Sequence, residues 1–253
     1  MNPAWRPAAA ALLLGLPLPA AADPTPPVAA EAVRFAPPLG APLTWSVTTR
    51  RLGRKGAMIA FSSVYALEWT RLGRGYRLDA TLQRIESDAP PELVRALTAV
   101  LQPLVGERVA YLVSPDGRTV DLADRKALSD RVIDRTEAFA AESGRPEAKA
   151  IAAMLGAMSP DERAVLASAD IRALVAPANG ALAAPAGPND PVGTVATVET
   201  ADIGGTPVET RTRWQIDAAS GLVLREQRQS WTIGPDKRPQ TLVEERVRAL
   251  TSH

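Results

Sequence analysis

Cysteine is absent from this chain, and its one histidine, His253, is the last residue of the sequence. The first absence excludes disulfides, thiol nucleophiles and thiolate metal ligands. The second leaves a Ser-His-Asp arrangement without its base, because order is weakest at a chain terminus and an imidazole there is poorly positioned. Aromatic residues make up only 4% of the chain. Beyond residue 22 no apolar run approaches the roughly 20 residues that a membrane-spanning helix needs. Basic and acidic side chains nearly cancel, 29 against 28, which excludes a global attraction to nucleic acid or to an anionic membrane. Phosphate and cofactor motifs are missing too. Gly53-Arg54-Lys55-Gly56 has neither the spacing nor the hydroxyl of a P-loop, and Gly73-Arg74-Gly75 lacks the third glycine of a dinucleotide fingerprint. Asp116, Asp121 and Asp124 do not alternate as calcium ligands do. No Ser-x-x-Lys signature of penicillin-recognising enzymes occurs. The expectation is a protein without catalytic residues, metal or cofactor, and not an enzyme.

What is present begins with an address. One positive charge at Arg6 is followed by an apolar run from Ala8 to Leu18, broken by Pro17, and then by Ala20-Ala21-Ala22. This is the layout of a secretory signal peptide over residues 1–22 with cleavage after Ala22, so a periplasmic or secreted location is expected. A lipid anchor needs a cysteine just after such a signal and is excluded by the absence of one. Residues 23–42 are rich in Pro and Ala and read as an extended arm rather than a core element.

From residue 43 the pattern turns to period two. Leu43, Trp45, Val47 and Thr49 alternate with polar neighbours, as do Ile59, Phe61, Tyr65, Leu67 and Trp69, and then Tyr76, Leu78, Ala80 and Leu82. Short glycine-bearing links make these an antiparallel meander. Helical spacing of Leu93, Leu97, Val100, Leu101 and Leu104 predicts a helix over about 91–104. Two short strands then flank the turn Ser114-Pro115-Asp116-Gly117. An Ala-rich helical insert covers about 124–176, with a Ser159-Pro160-Asp161-Glu162 capping box as its clearest local signal. A Pro- and Gly-bearing loop, 177–191, leads to four more strands. In the second of them Val208, Thr210, Thr212, Trp214 and Ile216 share one face. The fold class is therefore α+β: one domain, 43–253, with a curved antiparallel sheet of about nine strands and a helical insert covering one face.

Three groups of residues are candidates for function. The aromatic stripe of Trp45, Phe61, Tyr65, Trp69, Tyr76, Trp214 and Trp231 falls mostly on the inward parity of its strands. It reads as core, or as the apolar wall of a cavity roofed by the helices. Arg50, Arg51, Arg54 and Lys55 gather at the first hairpin tip as an anion-binding candidate, and Arg71, Arg74 and Arg77 gather at the second. Glu68 and Asp79, on neighbouring strands, are the carboxylates a hydrolase would use, although their parity places them opposite the aromatic stripe.

Export, element order and the Trp-bearing strands across roughly 43–250 together resemble the periplasmic lipoprotein carriers, open half-barrels whose helical lid holds an acyl chain. The resemblance implies a non-enzymatic protein that binds a lipid or other apolar or amphipathic envelope molecule. A structural or protein-interaction module of the envelope, partnered through an exposed strand edge or the Pro-rich arm, is the alternative, and a carboxylate hydrolase the third.

Overall fold

Alternation of side chains along extended backbone gives each strand two unlike faces, and a sheet forms where one of those faces can be buried. The computed structural model describes residues 35–53, 56–91, 94, 102–144, 146–180, 192–236 and 238–252. The signal segment 1–22, the arm up to residue 34, Arg54 and Lys55, most of the helix expected over 91–104, the loop residues 181–191 and His253 lie outside the described residues.

Nine strands are described: β1 Leu43–Leu52, β2 Met58–Leu72, β3 Gly75–Ser87, β4 Arg108–Val113, β5 Val120–Leu122, β6 Val192–Ile203, β7 Thr206–Asp217, β8 Val223–Ile233 and β9 Pro239–Ser252. They form one curved antiparallel sheet in the order β5-β4-β3-β2-β1-β9-β8-β7-β6. Two meanders are thus joined at a β1/β9 seam, where Leu43 pairs with Ser252 and Arg51 with Glu244. Between β5 and β6 the chain forms α1 Arg125–Ser143, α2 Pro146–Ala157 and α3 Pro160–Leu174.

The helix boundaries follow from caps. The Asp124 side chain accepts from the Ala127 backbone N–H to open α1, which closes at Gly144 in the left-handed conformation. Ser159 and Glu162 form the reciprocal capping box expected of them, with the Ser159 N–H donating to Glu162 Oε2 at 2.7 Å and the Glu162 N–H to Ser159 Oγ at 3.2 Å.

The core lies where α3 crosses the β1–β5 half of the sheet. Ile171 and Leu174 of the helix, with Val175 just beyond it, pack against Trp45, Leu67, Trp69, Leu78, Tyr111 and Val113. The Tyr111 hydroxyl donates to the Ala167 carbonyl at 2.7 Å and anchors the middle of α3 to β4. The helices α1 and α2 pack on each other through Phe139, Ala140 and Ala152 in a small satellite cluster. The aliphatic residues buried here contribute about 1.5–3 kcal/mol each.

Residues 35–42 run along the sheet, and Phe35 among them belongs to this core. Phe35 is buried and meets Trp69 and Tyr76 edge-to-face, with ring centroids 5.7 and 5.3 Å apart. Leu39 bridges to Trp69, and the Gly40 N–H donates to the Trp69 carbonyl. Phe35 also seats on the Ser114–Gly117 turn, where Gly117 has φ +71°. A Cβ at Gly117 would stand 2.6 Å from Ala178 Cβ and 2.9 Å from Phe35 Cγ. Both the left-handed backbone and the close packing require glycine there.

Because Leu174 is fully buried at the centre of this contact, Leu174→Ala is expected to cost about 2–5 kcal/mol, the range for a large core truncation. Urea unfolding checks this; a loss below about 1 kcal/mol would place α3 outside the core.

Candidate functional site

Directly paired residues of neighbouring antiparallel strands project from the same face. The residues sharing a face with the α3 contact can therefore be followed across the seam. One row runs from Ser63 of β2 through Val47, Arg248, Glu226 and Trp214 to Val195 of β6. The next runs from Phe61 through Thr49, Arg246, Arg228 and Thr212 to Thr197. A third holds Ile59, Arg51, Glu244, Ser230 and Thr210. The inner face is thus apolar where α3 meets β1–β5, and polar and charged over β8, β9 and the Thr49–Arg51 end of β1.

Arg248 is the centre of the charged part. Its Nε and Nη2 both donate to Asp170 Oδ1 of α3, at 3.0 and 2.7 Å, and its Nη1 donates to Glu226 Oε1 at 2.6 Å. Trp214 Nε1 donates to the other oxygen of Glu226 at 3.3 Å. Arg248 and Glu226 are both buried. Burial opposes the Arg248 charge, but Asp170 and Glu226 outweigh it and raise its pKa above the ordinary guanidinium value. Burial, with Asp170 nearby, pushes the Tyr65 phenol up to about 12. Tyr111 is driven higher still by burial, then by Tyr65 and Asp170.

Arg228 and Arg246 are placed differently. They face each other across β8 and β9, which puts their Cβ atoms about 4.5–5.5 Å apart. Glu226 and Asp170 are held by Arg248, and Glu244 by Arg51 at 2.7 Å. Among the described residues no carboxylate is within ion-pair distance of either Arg228 or Arg246. Burial, the neighbouring Arg248 and Arg228 itself lower the Arg246 pKa, against the attraction of Asp170 and Glu244.

The aromatic candidates divide into two sets. Trp45 and Trp69 are fully buried and Tyr76 nearly so, packed under α3 and Phe35. There Ile171 and Leu174 of the helix, with Val175, pack directly against the sheet. The indole N–H groups of Trp45 and Trp69 have no acceptor among the described residues. Phe61, Tyr65 and Trp214 are half-buried on the same face. Trp231 departs from the expected stripe: it follows Ser230 on β8 and pairs with Glu209 and Leu242, which places it on the outer face.

Of the first hairpin-tip cluster only Arg50 and Arg51 are among the described residues. Arg50 pairs with Glu245 at 3.0 Å on the outer face, while its neighbour Arg51 pairs with Glu244 on the inner one. Burial alone would raise the Glu245 pKa, but hydrogen bonds from Gln227 and Gln229 and the charge of Arg50 hold it below the usual carboxylate value. Arg71 lies over the Tyr76 ring, and Arg77 grips Asp79. Glu68 and Asp79 pair directly across β2 and β3. Glu68 is exposed and Asp79 is already bound by Arg77.

Two cavities flank the inner face. One of about 290 Å³ lies at the start of α1 between Arg77, Arg108, Leu122, Leu128 and Arg131. The other, about 380 Å³, lies at the end of the seam between Pro38, Leu43, Ser220, Leu224 and Leu250. Among the described residues no cluster of metal-ligating side chains occurs, and no helix is long and apolar enough to cross a membrane.

No protein-family model matches the chain, and no curated protein does. Among solved structures it is similar to an outer membrane lipoprotein-sorting protein domain from Vibrio parahaemolyticus, at 9% identity over 84% of this chain and 86% of that one, with a TM-score of 0.18. A likeness of that degree carries no argument about function.

Removing one partner of a buried ion pair strands the others. Arg248→Met, which leaves Glu226 buried without its cation, is expected to destabilise the fold by about 3–5 kcal/mol. Adding Glu226→Gln to it is expected to recover part of that loss. Denaturant unfolding of the single and double variants checks both, and equal stability of the two would show that the charges are not coupled.

Proposed function

We propose that this is an exported, non-enzymatic binding protein that holds an amphipathic envelope molecule against the inner face of its sheet. The observation that carries the reading is the change of character along one row, from half-buried Phe61 through Thr49 to Arg246 and Arg228. Four adjacent strands span roughly 14 Å, so an apolar tail and a polar head are accommodated at once on neighbouring strands. The binding face lies beside the contact in which α3 packs over Trp45 and Trp69. The signal layout of residues 1–22 supports delivery to the periplasm or beyond. Native mass spectrometry of protein purified from a membrane-containing extract tests the reading. The expected result is a polypeptide starting at Asp23 that carries an additional mass released by organic solvent. A clean apo mass, with no uptake of an amphipathic fluorescent probe, would overturn it.

A second reading, an envelope interaction module, is favoured by β6. This strand of 12 residues ends the sheet among the described residues, where β7 is its strand neighbour. Val198 and Ile203 on it are 64% and 60% exposed. A long apolar edge is a template for pairing with another chain. Photo-crosslinking from position 198 in intact cells is expected to capture a protein partner under this reading, and recovery of the free chain alone would remove it.

A further inference from the structure

Arg228 and Arg246 face each other on a folded sheet, and among the described residues no carboxylate lies within ion-pair distance of either. Like charges directly opposite on neighbouring strands destabilise a sheet. The other charged groups packed around them are already engaged: Arg248 with Glu226 and Asp170, and Arg51 with Glu244. Arg246 and Arg228 are half-buried rather than swept into solvent, and the side chain next to Arg228 in their row is the buried hydroxyl-bearing Thr212. Two guanidinium forks and a hydroxyl make up a donor set suited to a single oxyanion.

We infer that Arg228 and Arg246 form the subsite for an anionic headgroup, a phosphate or carboxylate, at the polar end of the inner-face row. The inference rests on the amphipath-binding reading and names the charge of the molecule bound. A guanidinium carries its charge in a planar fork of donors, which matches the geometry of an oxyanion. An incoming oxyanion also removes the repulsion between the two arginines. Occupancy therefore stabilises the fold as well as the ligand.

The test compares dodecyl phosphate, the uncharged dodecyl maltoside and inorganic phosphate by isothermal titration calorimetry and by thermal melting, below the critical micelle concentration. The wild-type chain is expected to bind dodecyl phosphate at least about tenfold more tightly than the maltoside, the worth of a charge-assisted hydrogen bond. In Arg228→Gln/Arg246→Gln the two affinities are expected to converge, through a loss of dodecyl phosphate binding of about tenfold or more. Without ligand, the double variant is expected to melt at or above the wild-type temperature, because the substitution removes repulsion and breaks no ion pair. Arg228→Lys/Arg246→Lys is expected to keep a reduced preference for the anion, since the charge remains and the fork is lost. A preference that survives the glutamine substitutions, equal wild-type affinity for the two amphipaths, or a lower melting temperature in the unliganded double variant would each overturn the inference. Binding of inorganic phosphate alone, lost in the double variant while neither amphipath binds the wild type, would uphold the anion subsite and reject the amphipath reading.

Discussion

The guanidinium of Arg248 is the point on which the two halves of this structure depend. It sits beneath α3 on β9, holds Asp170 of that helix through two of its nitrogens and Glu226 of β8 through the third. A buried cation between two carboxylates is not a large net source of stability, because each charge loses its hydration. Its effect is selective: with hydrophobic packing alone α3 would be free to slide along an apolar wall, whereas this contact is satisfied at one position. The burial of Leu174 and Val175 supplies the attraction, and Arg248 supplies the register.

With the helix fixed there, the inner face is divided. Over β1–β5 the side chains of Trp45, Trp69, Leu78 and Tyr111 are covered by α3 and form the core. Beyond the helix the same face carries Thr49, Arg246, Arg228 and Thr212, where polar groups reach solvent or one another. The carboxylates near this patch are engaged by Arg248 and Arg51, and the excess positive charge stays local although the whole chain is nearly neutral. Global charge balance and local charge excess are compatible because, at physiological salt, screening confines a surface charge to about 8 Å.

Much of the architecture was legible in the sequence. Period-two alternation located the nine strands, and the Ser159–Glu162 box marked the start of α3, because these signals depend on neighbours a few residues apart. Burial of Trp45, Trp69 and Tyr76 also followed from parity. The charged half of the inner face did not. In β9 the residues Val243, Val247 and Ala249 alternate with Glu244, Arg246 and Arg248, and hydrophobicity alone would turn the valines inward. From Glu245 on, pairing with β1 does the reverse, with Arg248 beside Val47. The deciding partners, Asp170 and Glu226, lie 78 and 22 residues away, beyond any local pattern. Phe35 was missed for a related reason: a lone aromatic in a Pro- and Ala-rich stretch has no period to betray it. Trp231 was misplaced because irregular pairing between β8 and β9 at Ser230/Trp231 interrupts the simple correspondence of strands.

The seam between β1 and β9 has a kinetic meaning. Ser46 and Ala249 lie 203 positions apart yet hydrogen-bond to each other, so the sheet becomes continuous only after the last strand has emerged from the ribosome. Until then β1 has an unsatisfied edge and the first meander waits half-finished. Contacts of such sequence separation form slowly, since a long loop must close before any of them is made. In a chain made from its N-terminus onward, the fragment made first cannot complete this sheet ahead of β9.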